Sequence, residues 1–213
     1  MSKPKVLVAC EQSQVVCAAF RNLGYEAYSC DLLPCYGGHP NWHIIGDAAW
    51  VVKGENVFRL ESGERLVVLG RWAMVIAHPP CTMLTHSSAV ALSKGLHTEE
   101  DVEKARSFFM EMLEAPAEFV AVENPAPMKF IGLPRYNQIV QPYDFGHPYS
   151  KRVCLWLKNL PPLLPMRAAY MTHQQWLKHC AGNSRRRSKT FEGIAEAMAH
   201  QWGTLLPRSF FPL

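Results

Sequence analysis

The feature that most constrains this chain lies at its start: Lys5-Val6-Leu7-Val8-Ala9-Cys10, a short unbroken apolar run. A run without alternation is the mark of a strand buried on both faces, and such strands belong to parallel sheets covered by helices. Apolar residues then recur at helical spacing (Val15, Val16, Ala19, Phe20, Leu23), and Gly24 supplies the stop. Glu26 to Cys30 reads as a second strand, ending at Asp31. Strand, helix and strand within about thirty residues make a βαβ unit, whose crossover is right-handed. The expected fold class is therefore α/β, with a doubly wound, mostly parallel sheet.

The rest of the chain is consistent with that start. Leu32 to Asn41 is rich in Gly and Pro and reads as loop, and His43 to Asp47 as a short strand or turn. Asn56–Leu60 and Arg65–Leu69 flank Glu61-Ser62-Gly63-Glu64, the pattern of a β-hairpin, inside a segment 51–70 that looks inserted. Trp72 to Ala77 is another buried strand, running straight into His78-Pro79-Pro80-Cys81. Thr98 with Asp101 predicts a capping box, opening a helix that buries Val102, Ala105, Phe108, Phe109, Met112 and Leu113 before Pro116 ends it. Phe119 to Val122 and Val153 to Leu157 read as strands. Pro161 to Ser184 reads as irregular, with a short helix near Gln174 to His179, and Thr190 to Trp202 as a final amphipathic helix. With 213 residues and no internal repeat, a single domain is expected.

Composition narrows the functional classes. Hydrophobic residues make up 48% and charged residues 19%, which excludes a disordered chain. The net charge of +4 permits a nucleic-acid partner without requiring one. No apolar run approaches the ~20 residues that cross a bilayer. The seven cysteines are odd in number and contain no CxxC pair, so neither a disulfide framework nor a metal centre is indicated. With no signal-peptide core at the start, a reducing cytosol is the expected compartment.

Four of the strands end in polar or reactive groups: Cys10-Glu11, Asp31, Cys81 and Glu123. In open α/β sheets ligands bind beyond the carboxyl ends of the strands, so these residues should gather at one edge. Cys81 follows two prolines, whose fixed φ stiffens the loop that carries the thiol. A thiolate there is a nucleophile, though a lone loop cysteine without a role is an equal reading. Glu123, with its acidity weakened by partial burial, could give a proton to a ring nitrogen of a flat substrate. By itself it reads rather as a helix cap or loop brace, a reading that its pairing with Cys81 on a neighbouring strand end weakens. Asp31 stands where nucleotide-binding α/β folds hydrogen-bond a ribose, although the glycine-rich fingerprint is absent from Cys10-Glu11-Gln12-Ser13-Gln14. Asp47 suits an exocyclic amine or a simple turn. Arg185, Arg186, Arg187 and Lys189 suit phosphate contacts or a solvated face.

In order and spacing these pieces resemble the DNA cytosine-5 methyltransferases, in particular the compact versions found in phages and prophages. The resemblance runs from Val6 to Trp202 and rests on Pro79-Pro80-Cys81, Glu123-Asn124, and Ser150-Lys151-Arg152 ahead of Leu155-Trp156-Leu157. It implies a Rossmann-like, S-adenosylmethionine-dependent methyltransferase fold in a bacterial cytoplasm. Cys81 would attack carbon 6 of a cytosine flipped out of double-stranded DNA. Glu123 would act at nitrogen 3, and Arg152 would hold the base or its phosphate. S-adenosylmethionine would lie against Cys10, Glu11, Ser13 and Asp31, with Leu32, Asp47 and Pro79 completing its site. Lys151, Arg185, Arg186, Arg187 and Lys189 would meet DNA.

Several positions depart from the family pattern. Gln14 stands where compact relatives carry a glycine, Thr82 replaces the usual Gln after the cysteine, and Ser150 and Cys154 replace two later motif residues. The segment 158–189 is short for a recognition region. The 51–70 hairpin is equally a homodimer contact, a DNA contact or surface ornament. Two other functions stay open: a Cys-dependent pyrimidine modifier using another donor or a free nucleotide, and a non-catalytic DNA-binding derivative. Retention of both Cys81 and Glu123 argues against the latter.

Overall fold

The computed structural model describes residues 3–85, 94, 97–148, 150–166 and 189–207. Its centre is a seven-stranded sheet built from β1 (Lys5–Ala9), β2 (Glu26–Asp31), β3 (His43–Ile45), β6 (Met74–Ala77), β7 (Phe119–Asn124), β8 (Gln138–Val140) and β9 (Val153–Lys158). The spatial order is β3-β2-β1-β6-β7-β9-β8. From β3 to β7 every pairing is parallel, with Val6 opposite Ala27 and Met74, and Ile76 opposite Ala121. The chain winds outward from β1 in both directions, so the point where the strand order reverses lies between β1 and β6. Crevices of this fold class open at that point, beyond the carboxyl ends.

The two layers over the sheet follow from the absence of alternation in the strands. Leu7, Ala9, Val75, Ala77, Val120 and Val122 face one side and pack with α2 (Ala48–Val51), α3 (Glu99–Leu113) and the hairpin of β4 (Asn56–Arg59) and β5 (Arg65–Val68). Val6, Val8, Met74, Ile76 and Ala121 face the other and pack with α1 (Val15–Asn22) and α4 (Glu192–Ala197). Both sides of each central strand are thus removed from water, at about 1.5–3 kcal/mol for each large apolar side chain. Among the described residues three tryptophans are fully buried, and each indole N–H finds a carbonyl: Trp72 on Val51 at 2.7 Å, Trp156 on Pro134 at 2.7 Å and Trp202 on Pro161 at 2.9 Å.

The capping box forms as the sequence predicts: the Thr98 hydroxyl accepts from the Asp101 amide at 3.2 Å, and the Asp101 carboxylate accepts from the Thr98 amide at 2.9 Å. The inserted hairpin is half core and half surface. Phe58, Leu60, Leu66 and Val68 are buried, while Val57, Val67 and Leu69 are exposed. β9 runs antiparallel to β7, a direction the sequence reading left open. Two features differ from that reading. β8, a three-residue strand at the sheet edge, was not anticipated. The last helix is α-helical only to Ala197 and continues as a π turn, Met198–Trp202. At Gly203 a Cβ would lie 2.7 Å from the Tyr25 ring, so a larger residue there would have to displace that ring from beside the end of α1. The expected helix near Gln174 to His179 lies outside the described residues.

Candidate active site at the carboxyl edge of the sheet

The edge is assembled from four loops. The first leaves β1 through Cys10, whose φ of 59° is left-handed, and the next residue's amide donates to the Cys30 carbonyl of β2 at 3.0 Å. Glu11 then folds its carboxylate back onto the start of α1: Oε1 accepts from the Val16 amide at 2.7 Å and Oε2 from the Cys17 amide at 3.2 Å. Orphan amides at a helix start require such an acceptor, and here they are buried. Ser13 adds its hydroxyl to the same Oε1 at 3.4 Å. Burial pushes the Glu11 carboxyl upward in pKa, against the downward pull of His78 and of the two amides, and the net direction is up.

Gln14 heads α1 in the left-handed region, φ 58°, and its side chain is fully engaged. Its amide nitrogen donates to the His39 carbonyl at 2.9 Å and to the Ser29 hydroxyl at 3.2 Å, and its oxygen accepts from the His39 amide at 3.0 Å. The loop after β2 therefore lies directly on this turn. At Gly37 a Cβ would meet the Gln14 Cβ at 2.6 Å, so the approach is possible only for glycine.

The second and third loops carry carboxylates. Asp31, at the end of β2, accepts from the Leu33 amide at 3.1 Å. Asp47, after β3, caps α2 by accepting from the Ala49 amide at 2.9 Å. Both acids, with Cys30, act on the Cys10 thiol: burial first, then these neighbours, push its pKa up, so Cys10 holds its proton. Cys30 is likewise pushed up to about 12, mainly by burial. Leu32 turns its side chain to solvent. A cleft of about 410 Å³ opens beside Asp47 and Ala49 and runs along α3 past Glu100, Glu103, Ser107 and Phe108.

The fourth region joins β6 to β7. The His78 amide donates to the Ala9 carbonyl at 3.0 Å, which places the residue at the reversal point of the strand order. His78 Nδ1 donates to Glu123 Oε2 at 3.0 Å, with side-chain exposures of only 11% and 13%. The buried Asn124 amide donates to the Pro79 carbonyl at 2.8 Å. Beyond them the Met128 amide donates to the Leu84 carbonyl at 2.9 Å, and Thr85 bridges to Pro127. The loop holding Cys81 and the loop after Glu123 are thus tied together at three levels. The Cys81 thiol, half-exposed, lies within electrostatic reach of both Glu123 and Lys151. Burial raises its pKa, its own amide lowers it, Glu123 raises it and Lys151 lowers it, and the net direction is up.

The sequence reading of Glu123 as an acid with a raised pKa is corrected here. Burial does push the carboxyl up, but the hydrogen bond and charge of His78, with the Lys151 ammonium, outweigh it, and the net direction is down. His78 moves the opposite way: burial pulls its pKa down, and Glu123 and Glu11 raise it further than that. The two directions agree, since each partner favours the charged form of the other. His78 itself escaped the sequence reading. The available signal was a titratable ring placed directly between a buried strand and two prolines.

The basic residues divide. Lys151 is half-buried, its ammonium 5.8 Å from the Phe191 ring centroid. Arg152 is exposed just ahead of β9, near enough to lower the neighbouring Cys154 thiol against the stronger effect of burial. Lys189 lies 3.9 Å from Glu192. Arg185, Arg186 and Arg187 lie outside the described residues, as does the 158–189 recognition segment except for 158–166 and 189. Among the described residues no helix is long and apolar enough to cross a membrane.

No protein-family model matches the chain, and no curated protein matches it in sequence. Solved structures do resemble it in shape. One, from E. coli, is described as a putative DNA modification methyltransferase encoded within a prophage: 13% identical, TM-score 0.45, with 79% of this chain and 53% of that chain covered. Another is the Entamoeba histolytica methyltransferase EhMeth, 11% identical, TM-score 0.43, with 79% of this chain and 58% of that one covered. The chain spans little more than half the length of each.

Proposed function

We propose that this chain is a DNA methyltransferase that uses S-adenosylmethionine and acts at carbon 5 of a cytosine flipped out of double-stranded DNA. The observation that carries the reading is the juxtaposition at the ends of β6 and β7: a stiffly held thiol, Cys81, within electrostatic reach of a buried carboxylate–imidazole pair, Glu123 and His78. Carbon 5 of cytosine is a poor nucleophile until a covalent adduct breaks the ring's conjugation, and a thiol plus a proton donor at nitrogen 3 is the minimal set that can form that adduct.

The chemistry assigns each residue a task. Cys81 gives up its proton to solvent at the half-exposed edge, and its Sγ, as thiolate, bonds to carbon 6. Nitrogen 3 accepts a proton from the Glu123–His78 pair as electron density moves onto the ring, leaving carbon 5 electron-rich. S-adenosylmethionine, when bound, supplies the electrophilic methyl group that carbon 5 takes up. The carbon-5 proton leaves to a base, the Sγ–carbon 6 bond breaks with its electron pair returning to sulfur, and nitrogen 3 returns its proton to the pair. Lys151 offsets the negative charge that thiolate and carboxylate bring to one pocket.

The β1–β3 edge fits the nucleoside end of that cofactor. Asp31 uses one oxygen on the Leu33 amide and Asp47 one on the Ala49 amide, and a carboxylate has further lone pairs for a ribose diol or an adenine amine. Glu11 would hold the turn beneath the cofactor through its two amides. Gln14 would face it with backbone only, its side chain being engaged by His39 and Ser29. That engagement is the one feature favouring the second reading, a Cys-dependent pyrimidine modifier with another donor.

The test is a DNA duplex carrying 5-fluorocytosine, incubated with protein and S-adenosylmethionine. Fluorine cannot leave as a proton does, so the adduct at Cys81 should persist and appear as a mass shift on the Cys81 peptide. Cys81→Ser should abolish both adduct and methyl transfer. A full rate of transfer in Cys81→Ser would refute the assignment.

A further inference from the structure

Glu123 does not act alone, and the geometry says why. Its side chain, only 13% exposed, lies at the end of β7, and the Asn124 side chain clamps the neighbouring Pro79 carbonyl. Oε2 is committed to His78 Nδ1 at 3.0 Å, which leaves Oε1 as the oxygen that can reach a substrate. The His78 amide donates to the Ala9 carbonyl across the reversal point, which fixes where the residue's backbone sits, and the bond to Glu123 orients the ring. Its second nitrogen, Nε2, is buried and has no hydrogen-bond partner among the described residues. Imidazoles held for structure alone have both nitrogens satisfied, as His43 does here with Ser29 at 2.8 Å and Leu33 at 3.0 Å. A buried ring with one nitrogen on a catalytic carboxylate and the other unpartnered is arranged to hold a proton.

We propose that His78 is a positioning residue that stores the proton Glu123 delivers to nitrogen 3 of the pyrimidine, so that the two side chains work as one single-proton unit. The inference rests on the cytosine reading above and adds a residue and a proton source to it. In the resting pair the proton sits on His78 Nδ1 and the carboxylate is charged. As Sγ bonds to carbon 6, the His78 Nδ1–H bond breaks and its proton crosses to the Glu123 carboxylate; the carboxyl group so formed turns that proton to nitrogen 3, where the N–H bond forms as the O–H bond breaks. The pair ends as carboxylate and neutral imidazole, one proton poorer, and nitrogen 3 ends one proton richer. Elimination of the thiol reverses the transfer. The groups that set the balance are Glu123 on β7, Glu11 after β1 and Lys151 ahead of β9, with Cys81 on the same loop as His78.

Two measurements test this. The first follows the His78 ring by nitrogen-15 NMR against pH in wild-type protein and in Glu123→Gln. The midpoint should fall by about one unit or more when the carboxylate is removed, the ordinary effect of losing an adjacent opposite charge. An unmoved midpoint overturns the proposal whatever the enzyme's activity. The second records the pH dependence of methyl transfer in wild type and in His78→Asn, which keeps a neutral N–H for Glu123 but cannot titrate. The variant should lose the alkaline limb of the profile and fall in kcat by roughly 10- to 100-fold, as when an orienting partner is removed, with the KM for DNA within about twofold. A profile and kcat like those of wild type overturn the storage role. A wild-type protein that shows the coupled titration yet forms no adduct with 5-fluorocytosine overturns the cytosine reading, and with it the nitrogen 3 acceptor, while leaving the pairing established.

Discussion

The two halves of the sheet's carboxyl edge satisfy their polar groups in different ways. On the β1–β3 side the acceptors are turned onto backbone. Glu11 uses both oxygens on Val16 and Cys17, Asp31 takes Leu33, Asp47 takes Ala49, and Gln14 is fastened to His39. On the β6–β7 side a side chain meets a side chain, His78 with Glu123, and atoms are left over: His78 Nε2 and Asn124 Oδ1 are buried without partners among the described residues. Native interiors rarely tolerate such orphans, because each costs about 1–3 kcal/mol unless something fills the vacancy. The first half is built to hold its loops in place. The second is built around valences that a substrate can complete.

Removing one carboxylate from each half sharpens that contrast. Glu123→Gln keeps the size and one acceptor oxygen but cannot carry the proton. Methyl transfer should slow by ~10²–10⁴, the range for a positioned acid. A rate within about threefold of wild type would make Glu123 a structural brace, like Glu11, and dissolve the distinction.

At the other edge Glu11→Ala should act on the fold. Two buried amides at the start of α1 lose their acceptor, and the loss should be about 1–2 kcal/mol, in the range for deleting a helix cap. Chemical denaturation would show it as a lower midpoint with an unchanged slope. The corresponding loss in Glu123→Gln should be smaller, since the amide oxygen still accepts from His78. If instead Glu123→Gln is the less stable of the two, the β6–β7 pair is a stability element and the comparison reverses.

The parallel centre of this fold was legible because its signals are local and strong. The apolar run at Val6 to Ala9, the helical spacing from Val15 to Phe20 and the Thr98–Asp101 cap each lie in one short window, and each formed where the sequence places it. β8 was not legible: Gln138-Ile139-Val140 is too short for a period, and it is defined by its ladder to β9, with the Gln138 side chain exchanging hydrogen bonds with the Leu163 backbone, 2.8 Å each way. The direction of β9 was not legible either, because Val153 to Trp156 is buried without alternation and such a run reads alike in either sense. At the edge, strand ends pointed to Cys81 and Glu123. The roles of Glu11 and His78 depend on which atoms they meet across the chain, and Glu123's charge state depends on His78, forty-five positions away. Sequence spacing does not carry that information.

The smallest effect expected is also the one most specific to the pair. Glu123's folded-state pKa lies below its ordinary 4.5, so the stability it contributes is present above that value and lost as pH falls through the folded one. His78 lies above its ordinary 6.5, so its contribution is complete below 6.5 and lost as pH rises through the folded value. Together they stabilise the native state most between pH 4.5 and 6.5. Glu11 runs against them on the acid side, because its raised pKa favours the folded state only while it is protonated. The clean observable is therefore the difference in denaturation midpoint between wild type and Glu123→Gln as pH is varied, in which Glu11 is common to both proteins. That difference should form a hump over the window and decline on each side. A flat difference would mean that His78 carries no charge in the 3.0 Å contact and serves there only as a structural hydrogen-bond partner.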